Sequence, residues 1–146
     1  MTMENKNLKH VQTIVADMAD FASGNFFIYD GELFPIDKGN FCKKEGCLYC
    51  EGTYIMPNGE KIPEDEIEVA TIGDYFDEFY DIDYVVGSDK HYKACRVLVA
   101  CGGPNIYINT WKEQVQLFWW SDTATADIPV NICDEIDEFF KMLYEC

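Results

Sequence analysis

The chain has 146 residues, 48% of them hydrophobic and 15% aromatic, enough apolar material for one real core and too much for a disordered segment. Its 27 Asp and Glu against 11 Lys and Arg give a formal net charge of −16, far beyond the magnitude of roughly 2 to 8 that suits a small soluble domain. That charge argues against direct binding to nucleic acid or an anionic membrane, both of which repel it, and makes a cationic partner its natural complement.

The opening MTMENKNLKH carries charge with no apolar stretch behind it, so no secretory signal is expected. Leu8, Val11, Val15, Met18 and Ala22 recur at steps of three and four, which predicts an amphipathic helix over residues 5–22 ending before Ser23-Gly24. FFIYDGELF then sets two β-prone runs around Asp30-Gly31, a strong hairpin signal, and TYIMPNGEKIP repeats the device around Asn58-Gly59. The cysteine-rich FCKKEGCLYC is expected between these two hairpins. TIGDYFDEFYD puts Ile72, Tyr75, Phe76, Phe79 and Tyr80 on one helical face and Asp74, Asp77, Glu78 and Asp81 on the other, which predicts a short acidic helix.

From residue 82 the period changes. IDYVV, CRVLVAC, NIYIN and VQLFWW are rich in β-branched and aromatic residues, and GSDK, GGP and Trp111–Glu113 supply turns, so a four-strand antiparallel meander is predicted. Within it Phe118 and Trp120 are expected on one sheet face and Trp119 on the other. Pro129–Tyr144 predicts a closing helix capped by Asn131, with Ile132, Ile136, Phe139, Phe140 and Leu143 as its apolar stripe. The expected architecture is α+β: an antiparallel sheet with an N-terminal helix, a short acidic middle helix and a C-terminal helix packed on it. No repeat, low-complexity tract or linker interrupts the chain, so residues 1–146 read as a single domain. Apolar runs such as Val97 to Cys101 hold about five or six residues against the roughly 20 of a membrane span, and a cytoplasmic location is expected.

Several chemistries lack their local signatures. There is no G-x-x-x-x-G-K-[ST], no G-x-G-x-x-G and no H-E-x-x-H. Gly102-Gly103-Pro104-Asn105 leads into a strand and reads as a hairpin turn. His91, four residues before Cys95, would serve a Cys–His pair only if the turn folded it back; an exposed turn histidine is the simpler reading. Cys42, Cys47 and Cys50 follow C-x4-C-x2-C, a spacing that suits a structural zinc ion. No fourth ligand lies nearby, so Cys95, Cys101, Cys133, His91 or water would have to complete it. Free thiols in a loop and a redox pair are the alternatives.

The charge is segregated. Nine acids (Glu64, Asp65, Glu66, Glu68, Asp74, Asp77, Glu78, Asp81 and Asp83) lie between residues 64 and 83 with no Lys or Arg among them, and residues 113–140 hold seven more on the same terms. Asp134, Glu135, Asp137 and Glu138 fall near the start of the last helix, where its macrodipole favours them. Acids at i, i+3 and i+4 form a row with steps of about 5 to 6 Å, so Asp74, Asp77, Glu78 and Asp81 are expected to present a row that the C-terminal four extend.

LVACGGPNIYINT, VQLFWWSD and DEIDEFFKMLYEC resemble segments of short acidic proteins carried by phages and conjugative elements, and in size and charge the chain is similar to their DNA mimics. The resemblance implies a non-catalytic inhibitor in the cytoplasm of a bacterial host cell. Its partner would be a basic nucleic-acid-binding protein such as a CRISPR effector or a restriction enzyme, met by the thirteen acids named above. The alternative is a small structural-zinc or ligand-binding accessory domain of such an element.

Overall fold

Residues 3–39 and 46–146 are described by a computed structural model, and the fold is α+β, with three helices and three antiparallel sheets. The chain gathers into two compact units, one from the segments up to Ala22 and from Ile72 onward, the other from Ser23–Thr71 between them. Among the described residues no helix is long and apolar enough to cross a membrane.

The first unit begins with α1 (Met3–Ala22). Its buried positions are Asn7, Val11, Ile14, Met18 and Phe21, an alternating four-three step, while Leu8 is exposed. The inward stripe is therefore turned from the expected one: Ile14 and Phe21 replace Val15 and Ala22. After α2 (Ile72–Tyr75) come five strands, β7 (Asp81–Val86), β8 (Tyr92–Ala100), β9 (Asn105–Asn109), β10 (Gln114–Trp119) and β11 (Asp122–Asp127), and then α3 (Val130–Glu145). They form one antiparallel sheet in the order β11-β10-β9-β8-β7. Its registers align Val97 with Ile108, Ile108 with Val115 and Ile106 with Leu117, so these buried residues share one face. α1 packs on β10 and β11, and α3 on β8. Along the other face Arg96, Leu98, Tyr107, Gln116 and Phe118 are half-buried or exposed.

Four strands of this meander match the expected ones. The fifth, β11, carries DTATAD, too poor in large apolar residues to announce itself; its inward residue Ala124 lies opposite Leu117. Trp120 is not on a sheet face but in the β10–β11 turn, 88% exposed and at φ 56°. In α3, Ile132, Cys133, Ile136 and Phe140 are buried and Leu143 is exposed. Pro129, not Asn131, stands at the N-cap, and no side chain caps the helix.

The second unit holds two three-stranded sheets, β2-β1-β6 and β3-β4-β5, from β1 (Phe26–Tyr29), β2 (Glu32–Pro35), β3 (Leu48–Cys50), β4 (Thr53–Ile55), β5 (Lys61–Pro63) and β6 (Glu68–Val69). Asp30 and Gly31 both take positive φ, 52° and 76°, in the two-residue turn expected there. Around Asn58-Gly59 a longer loop closes through Gly59 N–H to Met56 C=O at 2.8 Å. The described end of the cysteine segment is not a loop but β3, paired with β4 across Glu51-Gly52. Phe27, Phe34, Cys47, Tyr54 and Met56 form the core.

Packing in the first unit converges on Phe140, fully buried, with the rings of Phe76 at 5.0 Å and Phe79 at 5.7 Å. Phe140→Ala should destabilise the fold by about 3–5 kcal/mol, and Met142→Ala, on the exposed side of the same helix, by no more than about 0.5 kcal/mol. Urea unfolding followed by tryptophan fluorescence measures both.

Candidate functional site

The expected helical row of Asp74, Asp77, Glu78 and Asp81 is not a helical row. α2 ends at Tyr75, and Asp77 and Glu78 lie in a turn. Asp81 begins β7. The turn is closed by Phe76 N–H to Gly73 C=O at 3.2 Å and Asp77 N–H to Asp74 C=O at 3.3 Å. The helix fails because Phe76 and Phe79 both reach Phe140, and Tyr80 N–H donates to Leu98 C=O at 2.9 Å, which draws the chain into the sheet. The inside–outside division survives except at Tyr80: the four acids are exposed, and so is Asp83, while Ile72 and Phe76 are buried, Tyr75 and Phe79 half-buried and Tyr80 exposed.

Asp77, Glu78, Asp81 and Asp83 make no ion pair among the described residues. Asp81 accepts the neighbouring Ile82 N–H, at 2.9 Å. Asp83 lies opposite Arg96 in the β7–β8 register, yet the Arg96 guanidinium sits over the Tyr107 ring, 3.9 Å from its centroid. Asp77, Glu78, Phe79, Tyr80 and Val99 line an open cleft of about 500 Å³ beside the β8–β9 register shift between Leu98 and Ala100. Tyr80 is 68% exposed there.

The C-terminal four divide. Asp134 and Glu138 are exposed, one turn apart on α3. Glu135 is half-buried, with Oε2 out of contact with water and no hydrogen bond among the described residues. Asp137 is turned inward: Oδ1 accepts the Tyr92 hydroxyl at 2.6 Å and the Thr110 hydroxyl at 2.7 Å. It is a structural residue, not part of an outward row. In the second unit Glu64 pairs with Lys38 at 2.9 Å and accepts the Tyr49 hydroxyl at 2.7 Å, which holds its carboxyl below the usual range. Asp65, Glu66 and Glu68 are exposed.

The Asp137 network escaped sequence reasoning because its partners stand far apart in the chain. Thr110 Oγ1 also accepts Cys95 N–H at 2.9 Å, and Thr110 N–H donates to Cys95 C=O at 3.0 Å. The β7–β8 register shifts between Val85 and Val86, leaving Lys93 as the extra residue, and Tyr92 meets α3 beyond that bulge. Burial pushes the Cys95 thiol up to about 11, and it pushes the Tyr92 phenol well above its ordinary value, reinforced by the hydrogen bond to Asp137. His91 is exposed while Cys95 is fully buried, so no Cys–His pair forms.

The zinc reading meets a geometric obstacle. Cys47 is fully buried among Phe27, Phe34, Tyr54 and Met56, whereas Cys50 ends β3 exposed. Three residues apart along extended chain, the two side chains leave on opposite faces and do not converge on one ion. Cys42 lies outside the described residues. Among the described residues no three His, Cys, Asp or Glu gather as metal ligands.

Comparisons with protein-family models, with curated proteins and with solved structures return no match for this chain.

Two measurements check this geometry. A thiol reagent applied to the native protein should modify Cys50, Cys101 and Cys146 and reach Cys47, Cys95 and Cys133 only after denaturation, as peptide mapping would show. The second concerns pH. Burial raises the Asp137 carboxyl despite the two hydroxyl donors, so its contribution to stability is full below the unfolded value of about 3.9 and is lost as pH rises through the higher folded value. Asp137→Asn removes that loss. The unfolding free energy of the variant minus that of the native chain should therefore increase from about pH 4 upward, and a flat or falling difference would show that the hydroxyl donors, not burial, set this carboxyl.

Proposed function

We propose that this chain is a non-catalytic acidic binding protein whose carboxylates stand in for phosphates in a Lys/Arg-lined nucleic-acid groove of another protein. The observation that carries this reading is the segment from Asp77 to Asp83: four exposed carboxylates, none ion-paired among the described residues, fixed on a core through Phe76, Phe79 and Phe140. Asp81 and Asp83 project from one side of a strand about 6.8 Å apart, and Asp134 and Glu138 stand about 6 Å apart on α3. Both steps are similar to that between successive phosphates. A rigid mount matters because a preorganised charge array loses little conformational entropy on binding.

Like charges left this close cost a few tenths of a kcal/mol per pair. Solubility does not require them at such spacing, and a cationic groove would turn the cost into attraction. A defence nuclease of the host, a CRISPR effector or a restriction enzyme, is the partner class that the acidic mobile-element resemblance implies.

The test is charge neutralisation at constant fold. The native chain should capture basic nucleic-acid-binding proteins from a bacterial lysate, and duplex DNA should release them. Binding should weaken steeply between 0.01 M and 0.1 M salt, where the Debye length falls from about 30 to about 10 Å. Replacing Asp77, Glu78, Asp81 and Asp83 by their amides should abolish most of the capture. The same number of amides at Asp17, Glu32, Asp127 and Glu145 should do much less. Equal loss from both sets would assign binding to net charge alone, and no loss from either would overturn the proposal.

A further inference from the structure

β7 and β11 are the two edges of the five-stranded sheet. The edges other than β7 carry devices that discourage pairing. β2 and β5 end in Pro35 and Pro63, β3 and β6 are three and two residues long, and β11 has α1 packed against it. β7 has six residues, contains neither proline nor lysine, and among the described residues pairs only with β8. Along it Asp81 and Asp83 alternate with Ile82 and Tyr84, and Val86 is 43% exposed at its end.

We propose that β7 accepts an extended basic segment of a partner protein as a sixth strand, with a Lys or Arg of that segment seated in the cleft of Asp77, Glu78 and Tyr80. This rests on the reading of the chain as a binder of a cationic protein, and adds how the partner is held. Charge selects the occupant. A second copy of this chain would bring a net charge of −16 and its own Asp81 and Asp83 to the same edge, whereas opposite charges across a strand pair attract. Asp83 is available because Arg96, its cross-strand neighbour, is turned onto Tyr107. The cleft precedes the strand directly, Tyr80 being the residue before Asp81. It offers an ammonium or guanidinium two carboxylates and an exposed aromatic ring. Main-chain ladder bonds would supply affinity, and alternate side chains would supply selection.

The probe is a short synthetic peptide alternating Lys with Val, together with an equally charged form N-methylated on alternate residues so that it cannot complete the ladder. The unmethylated peptide should bind and slow amide exchange within Asp81–Val86. The methylated one should bind at least about tenfold more weakly, the equivalent of one or two net hydrogen bonds. The double variant Asp81→Lys, Asp83→Lys should reverse the preference toward a peptide alternating Glu with Val. Equal binding of the two Lys peptides, or unchanged exchange at β7, would overturn strand addition while leaving the acidic-surface reading intact. Failure of both peptides to bind, with capture of basic proteins still lost in the four-amide variant, would overturn strand addition alone. Loss of neither capture nor peptide binding in that variant would overturn the reading beneath it as well.

Discussion

A half-buried carboxylate at Asp137 joins the helix that carries it to two strands of the sheet. By accepting hydroxyls from Tyr92 and Thr110 it fixes α3 over β8 and the end of β9. Once α3 is fixed, the position of Phe140 follows, and with it the two rings of the acidic segment that pack on it. Farther along the helix Tyr144 lies against Tyr84 and donates to Lys90 C=O at 2.9 Å, tying α3 to the β7–β8 turn. The acidic surface is thus held from two sides by one helix. The arrangement has an electrostatic cost, because burial opposes the charge on Asp137. It is offset by the two hydroxyl hydrogen bonds that Asp137 accepts, from Tyr92 and Thr110, hydrogen bonds to a charged group each contributing about 1.5–3 kcal/mol.

A net charge of −16 does not describe what the individual carboxylates do. Glu64 is taken up by Lys38 and Tyr49, Glu60 accepts the Tyr29 hydroxyl, which itself accepts Asn58 Nδ2–H, and Asp89 accepts His91 N–H in the β7–β8 turn. These hold loops. Asp137 holds a helix. Exposed carboxylates remain in both units, Asp65, Glu66 and Glu68 in one and Asp77, Glu78, Asp81, Asp83, Asp134 and Glu138 in the other, and it is the set at β7 and α3, not the total, that the proposed partner would meet. The nearest cation to it in register, Arg96, is engaged with an aromatic ring, so the sheet does not neutralise its own acidic edge.

Local pattern and turn chemistry made most of the fold legible. Both residues of the Asp30-Gly31 turn need positive φ, and four β-rich runs became β7 to β10. β11 was not legible, since Thr and Ala alternate there without bulk and only pairing with β10 makes a strand of them. The acidic helix was misread for the opposite reason. Its i, i+3, i+4 pattern is real, but the apolar residues are drawn to Phe140 and the backbone is taken by Leu98, so tertiary contacts override the period. The two cysteines of Cys47-Leu48-Tyr49-Cys50 followed a zinc spacing that works in a tight knuckle and fails in a strand, where an odd separation sends side chains to opposite faces. Of the candidate acids, exposure was legible for most. The inward turn of Asp137 was not, because Tyr92 and Thr110 stand 45 and 27 residues away.

An exposed strand edge ordinarily threatens aggregation, and charge is one of the usual remedies. Lysine would guard β7 against other strands equally well, so solubility by itself does not choose between signs. Acid does something lysine would not. In a chain already at −16, acids on the edge compound the repulsion between copies, so self-pairing is opposed by the whole molecule as well as by the strand. The same charges leave the edge attractive to the one class of strand that no other copy of this chain can supply from β7 or β11, a basic one. β11 reads DTATAD and β7 reads DIDYVV, and neither contains a cation. Opposition to self-pairing is therefore set by the sign of Asp81 and Asp83, and the same sign would favour a cationic strand over an acidic one in the proposed pairing.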